Sequence, residues 1–112
     1  MIQREVVQYQ TQDGKIPFRE WLHSLKDMEA KARIRTRIDR LQLGNFGDCS
    51  FVGSGVSELR LHLGPGYRVY FGQDGKNIVV LICGGDKSTQ KKDIRKAQEY
   101  WEDYRRRSYE TK

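Results

Sequence analysis

The sequence predicts an α+β domain of order β-α-α-β-β-β-α, a small, mostly antiparallel sheet with helices packed on one face. Three observations carry this. The apolar period is 3.6 residues from Pro17 to about Leu43 and switches to 2 beyond it. Three alternating or apolar runs then follow one another, joined by Gly64-Pro65-Gly66 and Asp74-Gly75, short turns of the kind that link antiparallel strands. An amphipathic run closes the chain.

The elements follow in order. Glu5 to Gln10 alternates, with Glu5, Val7 and Tyr9 opposite Val6 and Gln8, and reads as a short strand. Asp13-Gly14-Lys15 is a turn. Pro17 suits the first turn of a helix, where its missing N–H is no loss. Pro17 to Leu25 then sets Phe18, Trp21, Leu22 and Leu25 on one face. A second helix runs from Asp27, a good N-cap, to Leu43, and stops at Gly44-Asn45. Its stripe is Ala30, Ile34, Ile38 and Leu41. Lys31, Arg33, Arg35, Arg37 and Arg40 fill much of the rest, with Asp39 the nearby acid. An arginine-rich helix is more often a solvated face than a nucleic-acid surface.

In the strands, Leu59, Leu61 and Leu63 alternate with Glu58, Arg60 and His62. Tyr67, Val69 and Phe71 alternate with Arg68 and Tyr70. Lys76 to Cys83 is apolar almost throughout, as expected of a strand covered on both faces over part of its length, and Gly84-Gly85 ends it. Ser88 is a candidate N-cap for the last helix, whose stripe is Ile94, Ala97, Trp101 and Tyr104.

The chain has 112 residues and a net charge of +6, the length of one domain over 1–112. Such a chain buries roughly 65% of its unfolded surface, enough for a core without staples. Its 37% hydrophobic content argues against disorder. No apolar run approaches the ~18 residues of a membrane span. The start, Met1-Ile2-Gln3-Arg4-Glu5, has no apolar signal core, so the expected location is cytoplasmic, with no membrane partner. Cys49 and Cys83 make neither a disulfide framework nor a zinc site; Cys83, on an apolar strand, reads as a small buried hydrophobe. A pI near 9.5 favours a polyanionic partner, nucleic acid or acidic protein.

The alternation also groups side chains. If the leucines and the Tyr67-Val69-Phe71 set face the helices, then Glu58, Arg60, His62, Arg68 and Tyr70 share the open face as cross-strand neighbours. Lys87 joins them from the following loop, and Lys91 and Lys92 from the first turn of the last helix. Arg and Lys bind phosphate, Tyr70 can stack a base and His62 can carry a proton near neutral pH. The plainer reading is a solvated sheet face with Glu58 paired across the strands. His23 has no partner in view and receives no role. The sequence has no HExxH, paired-cysteine, Walker or GxSxG motif, and its acids are scattered, so no metal or cofactor is called for.

Glu58-Leu59-Arg60, Gly64-Pro65-Gly66-Tyr67-Arg68-Val69-Tyr70-Phe71 and Gly84-Gly85-Asp86-Lys87-Ser88, followed by a helix with Ala97 and Trp101, together resemble the RelE/ParE superfamily of toxins. The likeness is greatest to its HigB-like, phage Gp49-like branch, and it covers nearly the whole chain. The resemblance implies a type II toxin encoded beside an antitoxin, itself the DNA-binding, helix-turn-helix partner. RelE- and HigB-type members cleave mRNA on the ribosome. ParE-type members poison DNA gyrase on a similar fold, and a non-catalytic nucleic-acid binder is a further alternative; fold alone does not choose. By the same resemblance Arg68 matches the phosphate-contacting arginine and Lys87 the basic residue before the last helix. Arg60 and His62 match basic positions on the preceding strand. Glu58 stands where RelE-type members carry lysine. The tyrosine those members carry near the C-terminus has no clear counterpart, leaving Tyr70, Tyr100, Tyr104 and Tyr109 as alternatives. The implied assignment is Arg68, Lys87 and His62 as catalytic, and Arg60, Tyr70, Lys91 and Lys92 as RNA-binding.

Overall fold

A computed structural model describes residues 3–110, and side chains as far as residue 108. Strand β1 (Glu5–Gln8) is followed by helices α1 (Pro17–Ser24) and α2 (Met28–Gln42). Strands β2 (Cys49–Phe51), β3 (Val56–Leu61), β4 (Tyr67–Asp74) and β5 (Ile78–Asp86) come next. A 3-10 turn (Lys87–Thr89) leads into α3 (Gln90–Glu110). The five strands lie in the order β1-β5-β4-β3-β2. All neighbours are antiparallel except β1 and β5, which are parallel. The α+β class and the mainly antiparallel sheet are those expected.

The local signals act as physical chemistry requires. Asp27 caps α2, accepting from the Ala30 N–H at 3.1 Å. Pro17 opens α1. Phe18 and Leu22 of α1 and Ala30, Ile34 and Leu41 of α2 are buried against Leu59, Leu61, Tyr67, Val69, Phe71, Val79 and Leu81. These side chains make one core on one sheet face.

The helices do not all share that face. Ala97 and Trp101 of α3 are buried with Tyr9, Val56, Tyr70, Val80, Ile82 and Cys83 on the opposite side, so the expectation of a one-sided helix layer is corrected. The reason is area: α1 and α2 already fill the first face, and the α3 stripe must bury against what remains. Strand β5 is accordingly covered on both faces, as its continuous apolar run requires. A register shift lies in the β4–β5 ladder, where Tyr70 pairs Cys83 but Phe71 pairs Leu81. It turns Ile82 and Cys83 to the α3 side together.

Three smaller expectations change. Strand β2 has no sequence signal, being three residues that pair along β3. Gly84 and Gly85 do not end β5; they pair with Val69 and Arg68. A Cβ on Gly84 would strike Trp21 of α1, and one on Gly85 would strike Asp93 of α3. The glycines thus let a helix approach each face. Asp86, not Ser88, caps the following turn by accepting from the Ser88 N–H at 2.8 Å. Cys83 is buried as expected, and burial pushes its thiol up to about 12. Among the described residues no helix is long and apolar enough to cross a membrane.

Candidate functional site

The chemistry-bearing side chains run along β3 and β4 from beneath the start of α3 to the strand ends it leaves uncovered. Register sets the pairs: Glu58 lies opposite Tyr70, and Arg60 opposite Arg68. Side-chain exposure rises outward along this face, from 2% for Glu58 through 10% for Arg68 and 31% for Arg60 to 73% for His62. The expected open face is therefore half closed. Tyr70 is fully buried, and a ring with no free face cannot stack a base, so its expected RNA-binding role is corrected to a structural one.

The inner half is a carboxylate network. Glu58 Oε2 accepts from Tyr70 Oη at 3.0 Å and from Gln90 Nε2 of α3 at 2.8 Å. Its Oε1 lies 3.8 Å from Arg68 Nε and 4.0 Å from Arg60 Nη1. One buried anion thus serves both guanidinium groups and ties the start of α3 to the sheet. Burial, then the Glu58 charge, pushes the Tyr70 hydroxyl well above its ordinary value.

The outer half is organised by Asp48, which the sequence reading did not single out. The Arg60 N–H donates to the Asp48 carbonyl at 3.0 Å. The Asp48 carboxylate then accepts from Arg60 Nη2 at 2.8 Å and Nε at 3.2 Å, and pairs through Oδ2 with His62 Nε2. Arg60 Nη2 also donates to Ser50 Oγ at 2.8 Å. His62, then Arg60, holds the Asp48 carboxyl below the usual carboxylate range. Asp48 arrives through β2 pairing alone, which is why no periodicity in the sequence marks it.

Arg68 is anchored rather than loose. Its Nη1 donates to the carbonyls of Gly66 and Tyr67 at 3.1 and 3.3 Å, while its buried Nε has no hydrogen-bond partner. Gly66 takes the left-handed φ of 81°. A Cβ there would stand 3.4 Å from both Arg68 Nη1 and Lys87 Cβ, so the tight turn brings the base of the Lys87 side chain close to the Arg68 guanidinium. Lys87, Lys91 and Lys92 are exposed beside and just after this point.

The other tyrosines are engaged elsewhere. Tyr100 packs on Tyr9, with ring centroids 5.1 Å apart. Tyr104 stacks on Trp101 and donates to Asp74 Oδ2 at 2.7 Å. Tyr104 stands about 21 Å along α3 from Gln90, by helical rise. The Tyr109 side chain lies outside the described ones. No group of three or more His, Cys, Asp or Glu positioned for a metal occurs among the described residues.

Comparison with known proteins adds the lineage. The family described as "Phage derived protein Gp49-like (DUF891)" matches residues 20–102. That span runs from α1 to α3 and contains every residue of the cluster just described. An uncharacterized protein of Haemophilus influenzae is 53% identical over 83 residues, covering 74% of this chain and 84% of the relative. The chain therefore belongs to the phage-derived Gp49-like family, a RelE-like toxin–antitoxin family.

Proposed function

We propose that this protein is a HigB-like toxin of a type II module, a metal-independent endoribonuclease that cuts mRNA on the ribosome and is held in check by an antitoxin. The observation that carries the reading is Arg68. Its guanidinium is fixed by the Gly66 and Tyr67 carbonyls and backed by Glu58, 3.8 Å from its Nε, with the exposed Lys87 following on the next turn, which fits a preorganised cation at the rim of a phosphate site. Arg60 and the exposed His62 stand next to it around Asp48.

The chemistry asks for four things: charge stabilisation, alignment, a proton acceptor and a proton donor. The RNA's 2′-hydroxyl attacks the adjacent phosphorus, its proton passing to a base. The P–O5′ bond breaks, and the 5′ oxygen takes a proton as it leaves. The products are a 2′,3′-cyclic phosphate and a 5′-hydroxyl end. Arg68 and Lys87 neutralise the pentacoordinate phosphate. Arg60, Lys91 and Lys92 hold the strand. His62, oriented through Asp48, moves the proton.

Brief induction of the protein alone, followed by 5′-end mapping of cellular mRNA, tests this. Cuts inside translated frames, absent when translation is blocked, are expected. Arg68→Lys, which keeps a positive charge beside Glu58 and loses the planar fork, should stay folded by circular dichroism and weaken growth arrest, and Arg68→Ala should abolish arrest, since one well-placed charge-stabilising donor is typically worth about 10²–10³ in rate. Arrest with intact mRNA and broken DNA would instead mark a gyrase poison.

A further inference from the structure

A second basic feature lies beside the cluster. Between α2 and the outer end of β3 is a cleft of about 430 Å³, and Arg33, Arg37, Arg40 and His62 line it. Leu61 and Leu63 supply apolar wall, and no carboxylate lines it. The arginines recur at i, i+4 and i+7, so they lie along one face of α2 over about 10 Å. The larger cleft along α3 differs, because Glu99 and Glu102 are interleaved with its arginines.

The three arginines are not equivalent. Arg37 is fixed: it donates to the Arg60 carbonyl at 2.7 Å and to the Phe46 and Asp48 carbonyls at 3.4 Å each. It cannot swing away from its neighbour. Burial pulls its guanidinium below the ordinary value, Asp48 opposes this, and the like charge of Arg40 adds to burial. Arg40 has no acidic partner among the described residues. Arg33 pairs with Glu29 at 3.4 Å on the open surface, where a pair contributes little and is readily exchanged. Folding thus sets three cations along a cleft whose own lining carries no carboxylate, with Glu29 and Asp48 acting on Arg33 and Arg37 from outside it.

We infer that this cleft seats the phosphodiester backbone of a single-stranded nucleic acid, continuing the strand away from the Arg68–Lys87 end. Phosphates would relieve the repulsion and give each guanidinium a planar, bidentate acceptor. Continuity decides for a nucleic acid over an acidic peptide. His62 lines the cleft and also pairs with Asp48 beside Arg60, so the two places adjoin through His62 and Arg60, whose two positive groups share the single Asp48 carboxylate. The inference rests on the reading above for the strand being RNA, but strand binding in the cleft is separable from cleavage.

The test is anisotropy titration of a labelled 2′-deoxy single strand, which lacks the attacking hydroxyl and cannot be cut, across a salt series. Arg33 and Arg40 are exposed helix positions, so Arg33→Glu and Arg40→Glu should fold; Arg33→Gln and Arg40→Gln form a milder second pair. Arg35→Glu is the control, exposed on the same helix but outside the cleft, with the same charge change. Each cleft variant should make the slope of log affinity against log salt shallower by roughly 0.7, the value for one lost phosphate contact on a single strand. Arg35→Glu should leave the slope unchanged. An equal effect from Arg35→Glu, or no slope change in the cleft variants, overturns the inference. So does a polyglutamate peptide that loses binding in the cleft variants while the strand does not. If mRNA proves uncut in cells yet the cleft variants shift the slope, the cleft stands and the nuclease reading falls. If mRNA is cut and the slope does not move, the reverse holds.

Discussion

Glu58→Gln isolates the charge of the buried carboxylate at nearly constant shape. Each guanidinium about 4 Å away would contribute about 4 kcal/mol of attraction at an effective dielectric near 20, before desolvation. Much of that is offset by taking the ions out of water, so the net is far smaller than the sum. Removing one partner of a buried ionic network typically costs about 3–5 kcal/mol, because the remaining charges are left uncompensated. Arg60 is 31% exposed, and glutamine keeps one acceptor for Tyr70 or Gln90, so the low end, about 3 kcal/mol, is expected. An unfolding entropy of about 2.1 cal/mol/K per residue over 112 residues makes that a fall in Tm of roughly 13 °C. Thermal and urea unfolding followed by circular dichroism measure it. Tyr70→Phe, which deletes one bond to a charged acceptor, should cost about 1.5–3 kcal/mol alone. The double variant should lose less than the sum by more than about 0.5 kcal/mol, since both changes act on one network. A Glu58→Gln protein within about 0.5 kcal/mol of the parent, or strict additivity, would refute the claim that this carboxylate holds the network together.

Other consequences follow from the same packing. The Trp101 ring lies so close to Gly72 that a Cβ there would stand 2.6 Å from Cε3. Gly72→Ala should therefore cost about 1–3 kcal/mol by overpacking, read from denaturant midpoints; an unchanged midpoint would show that α3 shifts freely. Asp27→Ala removes the α2 cap and should cost about 1 kcal/mol, whereas Asp27→Asn should restore most of it. Burial, before the adjacent carboxylates, pushes Tyr9 and Tyr104 up to about 12 and Tyr70 higher still. These phenols ionise more readily unfolded than folded. Their contribution is complete below about pH 10 and is lost as pH rises through the folded values. Stability should thus be flat on the neutral side and fall above about pH 10, with phenolate absorbance appearing only as the fold opens. Phenolate titrating fully in a still-folded protein would contradict this.

Much of the fold is legible locally because its causes are local. The alternation of Leu59 and Leu61 and of Tyr67, Val69 and Phe71 reports which face of a strand is buried. Asp27, Pro17 and the Asp74-Gly75 turn act on their own neighbours. The sequence by itself therefore determined the three helices, four of the five strands, the mainly antiparallel sheet and the basic character of one end of it. It also placed Arg60 and Arg68 on one side of a hairpin. Which layer covers which face is not local. The α3 stripe states only that it must be buried, and tertiary structure decided that it closes over Glu58 and Tyr70. That choice converts an expected exposed patch into a buried carboxylate network with an exposed rim. Asp48 entered the site in the same way: three residues of β2 pair along β3 with no periodicity of their own, and their hydrogen bonds carry a carboxylate to Arg60 and His62. Local pattern encodes what each segment must bury or expose; the competition of all segments for the same surface decides where.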